Sequence, residues 1–293
     1  MSNRFTSWLI FVVLCFIWGS SFKLMQDSQQ GLNSMQIASV RIFSAGLVFL
    51  PFAFFHWKKI PRGKLLPVIL SAVFGNLLPA FLFAEAIMKI DASLAGILNS
   101  LTPICVVVIG IVFFRDRFRS QKIVGVLVGF LGLVVLTLSP WILENKTLSL
   151  DNLNYTALIV LATLLYGINV NMVGHYLKEV NPLHIATVSL ACMLLPTAIV
   201  LWQQDFMALN FADPNVSYSV WASVALGVVG SAVATALFYL LVQRAGGLFA
   251  SLVTYGIPFV ALFWGFMDGE RITFLEISCL LLILIGVYLA NRK

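Results

Sequence analysis

The sequence predicts an all-α integral membrane protein: ten transmembrane helices in two inverted five-helix repeats, with both termini cytoplasmic. Three observations predict it. Apolar residues make up 60% of the chain and charged residues 10%, and the mean hydropathy is +0.99. Soluble domains are only roughly 45–50% apolar. Apolar runs of membrane-spanning length recur along all 293 residues, and the second half repeats the landmarks of the first.

Spanning ~30 Å of hydrocarbon at ~1.5 Å per residue takes ~20 residues, so ten spans use ~200. The loops are then short and leave no room for a soluble catalytic domain. Spans are predicted near 7–25, 34–55, 66–88, 93–114, 121–138, 155–177, 183–202, 218–241, 248–266 and 274–290. The breaks between them are Pro61 with Gly63, Asn181 with Pro182, Asp213 with Pro214, and Gly246 with Gly247. Proline and glycine interrupt helices by a missing donor and a free backbone respectively. The run 93–138 is split only by charge, Arg115 through Lys122. The opening run resembles a secretory signal, but it continues to Met25 and further spans follow, so it reads as an uncleaved first span.

Charge orients the chain. With the N-terminus inside, thirteen of the 18 basic residues fall on the cytoplasmic side, among them Lys58, Lys59, Arg115, Arg117 and Lys178. Lys23, Lys89, Lys146 and Arg271 fall outside, and Arg41 lies within the second span. The formal charge of +6 therefore reflects orientation in the bilayer, not a nucleic-acid partner. Cys15, Cys105, Cys192 and Cys279 are scattered through apolar runs without metal or redox spacing.

An internal repeat fixes the architecture. An offset of 148 aligns Trp18-Gly19 with Tyr166-Gly167 and Asn33 with Asn181. An offset of 155 then pairs Gly75 with Gly230, Phe83 with Phe238, Pro103 with Pro258 and Gly110 with Gly265, and 154 pairs Gly132 with Gly286. The first repeat covers 1–140, an external linker 141–154 and the second repeat 155–293. Five spans per repeat is an odd number, so the halves have opposite topology, an arrangement that places substrate sites near the midplane.

These residues resemble the EamA-type branch of the drug/metabolite transporter superfamily over the full chain. The resemblance rests on Trp18-Gly19-Ser20-Ser21-Phe22, on Arg41, on the Ala92–Pro103 stretch ending Asn99-Ser100-Leu101-Thr102-Pro103, and on the matching Ala250–Pro258 stretch. It implies a ten-helix carrier of amino acids, related metabolites or drugs, commonly outward. Arg115-Asp116-Arg117 departs from the Gly-Glu-Arg turn usual there, which the second half keeps as Gly269-Glu270-Arg271.

Within that frame, Trp18 and Tyr166 are candidates for an aromatic cavity wall, against the alternative of plain helix packing. Pro103 and Pro258 each free the carbonyl four residues earlier, at Asn99 and Thr254, so the fourth and ninth spans read as kinked gates, with Gly110 and Gly265 keeping that face narrow. Asn76 and its repeat partner Ser231 are substrate contacts or interhelical bonds, and Asn169 shares the face of Tyr166. Phe83, Tyr239 and Tyr255 complete the expected lining, on the first, third, fourth, sixth, eighth and ninth spans. Arg41, ~10 Å into its span, is a structural anchor or a fork for a substrate carboxylate. Glu85 is an interfacial partner of Lys89 or a proton-coupling group.

The expected function is secondary transport of a small metabolite, an amino acid or similar amphipathic solute, outward across the cell membrane by alternating access. The chain has no ATP-binding glycine loop, esterase elbow or dinucleotide fingerprint, and His56, His175 and His184 lack metal spacing. No catalytic residue, metal or cofactor is expected. The expected partners are the substrate and the lipid bilayer; a monomeric state and proton coupling are left open. The rival readings are a carrier for nucleotide sugars or other phosphorylated metabolites, which needs several cavity cations, and a non-transporting membrane protein such as an embedded enzyme or lipid-handling protein.

Overall fold

The computed structural model describes residues 2–90, 92–144, 153–267 and 273–291. Among them no strand occurs. Helix α1 covers Ser2–Asp27, α2 Ser34–His56, α3 Leu65–Ala72 and α4 Leu78–Ile87, with a π-helical segment, π1, at Val73–Leu77 joining the last two. Then come α5 (Ala92–Asn99), α6 (Thr102–Phe114), α7 (Ser120–Glu144), α8 (Leu153–Tyr176), α9 (Pro182–Cys192) and α10 (Leu194–Gln203). The chain continues through α11 (Pro214–Ala225), a second π segment, π2 (Leu226–Val233), α12 (Ala234–Ala245), α13 (Gly247–Ser251), α14 (Val253–Met267) and α15 (Phe274–Asn291). Among the described residues seven stretches are long and apolar enough to cross a membrane, accompanied by the shorter apolar helices Thr102–Phe114, Ser120–Leu136 and Gly247–Val260. Most of the expected linker lies outside the described residues, as do Gly269, Glu270, Arg271, Arg292 and Lys293.

Local chemistry accounts for the ends. The Asn33 side chain accepts from the Gln36 amide at 2.8 Å while the Gln36 side chain accepts from the Asn33 amide at 3.1 Å, a reciprocal capping box that starts α2. The Asn181-Pro182 and Asp213-Pro214 breaks are capped in one direction only. Each acidic or amide side chain accepts from the amide two residues on, at 2.9 and 2.8 Å, and the proline fills the first turn where no donor is needed. Gly246, at φ +90°, separates α12 from α13 in a conformation that side-chain-bearing residues avoid.

Arg115 closes α6 at φ 57°, in the left-handed region, with its amide bonded to the Gly110 carbonyl. The 154-residue offset pairs this position with Gly269 of the second half, so the first half holds a non-glycine residue where the backbone favours glycine. Arg115→Gly is expected to raise stability by about 0.5–1 kcal/mol, read as a higher unfolding temperature in detergent.

Two expectations about the spans are corrected. The fourth span does not kink at Pro103. It breaks at Ser100-Leu101, between α5 and α6, and Pro103 sits in the first turn of α6, where its missing N–H costs nothing. The ninth span breaks at Leu252, well ahead of Pro258, which lies inside α14. The third and eighth spans, expected as plain helices, instead carry π1 and π2, at positions that correspond under the 155-residue offset.

The packing is reciprocal. α1 packs on α14 and α12, and α8 on their counterparts α6 and α4; α2 packs on α9, and α7 on α15. Close approaches depend on missing side chains. A Cβ on Gly19 would lie 2.6 Å from Val260, and one on its counterpart Gly167 would lie 2.9 Å from Ile109. Along α7, Gly125, Gly129 and Gly132 meet Gly286, Ala290, Ile283 and the Cys279 carbonyl of α15, a small-residue seam in which backbone touches backbone. Arg4 and Asn291 line one groove, so the start of α1 and the end of α15 lie at the same face.

Candidate functional site

A cavity of ≈ 100 Å³ sits between the halves, and its lining comes from both. Its walls come from α1 (Trp18, Ser21, Met25), α2 (Arg41), the π1–α4 stretch (Gly75, Asn76, Phe83), α5–α6, α8, the π2–α12 stretch, α13 and α14.

The aromatic walls face one another by symmetry. The Trp18 indole donates to the Gly230 carbonyl at 3.1 Å, within π2, and its ring lies 5.3 Å from Phe238. Opposite, Tyr166 stacks on Phe83 at 6.1 Å with an interplanar angle of 27°. The repeat aligns Trp18 with Tyr166 and Phe83 with Phe238, so each half contributes one ring to each pair. The indole bond also holds the π2 backbone, whose widened turn offers a carbonyl to a side-chain donor.

The polar floor is shared between halves. The Thr235 hydroxyl donates to the Asn76 side-chain oxygen at 2.9 Å, and the buried Tyr239 hydroxyl donates to the Ser71 carbonyl at 3.3 Å. Asn76 thus makes an interhelical bond and also lines the cavity. Asn169 is pressed against the Cα of Gly75, where a Cβ would collide with its side-chain amide. The side-chain oxygens of Asn99 and Asn169 are buried and have no hydrogen-bond partner. Unpartnered buried acceptors are rare because each costs about 1–3 kcal/mol.

The carbonyl that Pro103 frees at Asn99 is not open to a ligand. The Thr102 hydroxyl donates to it at 2.6 Å. Thr102→Val is therefore expected to strand that buried carbonyl and lower stability by about 1–2 kcal/mol, measured by thermal unfolding.

Arg41 is the charge in this wall. Its Nε donates to the Ser231 hydroxyl at 2.9 Å, across the two halves. None of the described residues lining the cavity is acidic.

The placement of the other expected residues differs in part. Ser231 is buried behind Arg41 rather than on the cavity surface, its face turned by the π register. Tyr255 lies wholly outside: its ring fills the space beside Gly129 and its hydroxyl donates to the Val126 carbonyl at 2.8 Å, while its neighbour Thr254 faces the cavity. Glu85 lies between α4 and α2, away from the cavity, and accepts from the Ser34 hydroxyl at 2.5 Å. Gly110 sits at the far end of α6, against Asp116 and Asn171, where His175 bridges to Asp116 at 3.0 Å. The surroundings of Gly265 lie outside the described residues. Sequence reasoning missed Ser21, Met25 and Thr235, although helical spacing from Trp18 and Tyr239 could have found them.

A helical membrane fold around a mid-chain cavity shared by two related halves defines the class of multi-pass membrane transporters. The chain belongs to the EamA-like transporter family, whose model matches residues 6–138 and again 154–292. It is similar to an "Uncharacterized transporter" of Archaeoglobus fulgidus, at 24% identity over 98% of this chain and 99% of the relative. The "Uncharacterized inner membrane transporter YedA" of Escherichia coli is 22% identical over 96% of this chain and 91% of the relative. A solved chain described as "Crystal structure of protein" shares the fold, with a TM-score of 0.71 at 17% identity over 97% of this chain and 96% of that one.

Proposed function

We propose that this protein is a secondary carrier for a small zwitterionic metabolite of the amino-acid type. Ten spans form two inverted five-helix repeats, 1–140 and 155–293, with both termini cytoplasmic in the cell membrane. Two consecutive matches to one family model and the reciprocal packing support that architecture. Movement is by alternating access about the shared cavity, and net flux is outward, the direction that the family resemblance implies.

One observation carries the substrate class. Arg41 is a guanidinium held in a cavity wall whose described residues offer it no carboxylate. A buried cation without a counter-charge is costly, and a substrate carboxylate relieves it with a two-pronged hydrogen bond. The unpartnered Asn99 and Asn169 oxygens would accept from an ammonium group, and the rings of Trp18, Phe83, Tyr166 and Phe238 would take an apolar side chain. A phosphorylated or nucleotide-sugar substrate fits less well, since one guanidinium among the described lining residues does not balance several negative charges. A catalytic reading has no cluster of acids, histidines and cysteines in that lining to support it.

The test is uptake of labelled neutral and aromatic amino acids by purified protein in liposomes, with and without a pH gradient. Saturable uptake that a Trp18→Ala, Asn169→Ala double variant loses supports the reading, and its response to the gradient settles coupling. Absence of uptake by correctly inserted protein would overturn it.

A further inference from the structure

A second cavity, of ≈ 760 Å³, opens between α1, α14 and α15 and shares no lining residue with the site above. Its walls are helical stripes. From α1 come Arg4, Trp8, Phe11, Val12, Cys15 and Phe16, spaced by three and four residues; α14 and α15 supply Phe259, Phe263, Leu284 and Tyr288 among others. Several are buried against the protein and others open outward: Val12 is 47% exposed, Leu284 51% and Tyr288 63%. Tyr255 forms its inner wall.

The groove has one apolar end and one polar end. From Arg4 to Phe16 is twelve residues, ~18 Å of helix. That is about the depth of one leaflet of a ~30 Å hydrocarbon core. Arg4, Tyr288 and Asn291 gather at the end where α1 starts and α15 stops, and the remaining lining is apolar apart from the Trp8 indole N–H and the bonded Tyr255 hydroxyl and Cys15 thiol. An apolar slot of leaflet depth, closed at the membrane surface by a guanidinium, a phenol and an amide, matches the division of a phospholipid into acyl chain and headgroup.

From this we infer that the groove between α1, α14 and α15 binds one anionic phospholipid, an acyl chain lying along Val12, Phe16 and Leu284 and the headgroup phosphate meeting Arg4. The lipid fills the gap that sparse contact between α14 and α15 leaves open. It therefore lies against α14, a helix that also lines the central cavity through Thr254 and Ile257. Anionic lipid is favoured over zwitterionic because Arg4 is the cation among the described residues lining this end of the groove, and a surface-level arginine distinguishes net headgroup charge.

The test is native mass spectrometry of the full-length protein in detergent with equal amounts of phosphatidylglycerol and phosphatidylcholine of the same chains. The wild-type protein is expected to retain one phosphatidylglycerol in about fivefold preference. Arg4→Gln should remove the preference while leaving a lipid bound, whereas Val12→Trp and Leu284→Trp, which fill the groove from opposite walls, should lose both lipids. Leu47→Trp, equally exposed but on α2, should behave as wild type. The inference is overturned if both groove-filling variants retain lipid as Leu47→Trp does, or if phosphatidylglycerol is held no better than phosphatidylcholine, or equally well without Arg4.

Discussion

Arg41→Gln is expected to weaken substrate binding by about 2–4 kcal/mol, a loss of roughly 30- to 1000-fold. The glutamine keeps a donor for the Ser231 hydroxyl, which Arg41 now supplies from Nε at 2.9 Å, so the contact between the halves is largely kept. What disappears is the charge facing the cavity. Arg41→Lys should fall between the two, because a lysine restores the charge without the planar pair of donors. Binding measured by a scintillation assay on purified protein separates this loss from any defect in transport. An unchanged affinity in Arg41→Gln would mean that the guanidinium only ties α2 to π2, and the carboxylate reading would fall with it.

Gly286→Val is expected to cost about 3 kcal/mol or more of stability. A Cβ at this position would run into the Gly129 backbone and the Gly125 carbonyl, and backbone cannot step aside as a side-chain tip can. The helices would have to separate along their whole seam, losing close backbone contact that small residues exist to permit. Thermal unfolding in detergent should show a large downward shift. Gly63→Val, where a Cβ meets nothing within 4 Å, is the matched control and should leave the transition in place. Equal shifts in both variants would show that the seam contributes no more than an ordinary surface position.

Much of this arrangement was legible in the sequence because the signals are physical ones. Apolar run lengths report the helices, and the Asn-Pro and Asp-Pro breaks are caps whose side chains accept from the next turn. The repeat supplied depth. Trp18, Asn76, Phe83, Asn99, Tyr166, Asn169 and Tyr239 all line the cavity, since equivalent residues in two related halves meet near their shared axis. Orientation within a turn was harder. Tyr255 and Thr254 differ by ~100° of rotation on an α-helix, and it is Thr254 that faces inward. Ser231 lies in π2, where the wider turn shifts every face relative to an α-helical wheel. Proline also misled: its clash is expressed inside a helix, but Pro103 avoids it by standing in a first turn, and the break moves to the residues before it.

The α7–α15 seam bears on how the chain is made. α7 is complete about 150 residues before α15 leaves the ribosome, and at about 5–20 residues per second its glycine edge waits roughly 7–30 s for its mate. Through that interval Gly125, Gly129 and Gly132 have no α15 to meet, and the first half stands in the bilayer as an unfinished object. A chain that stops short of Gly286 would carry every residue of the first repeat, yet leave its last helix as an orphan for membrane quality control.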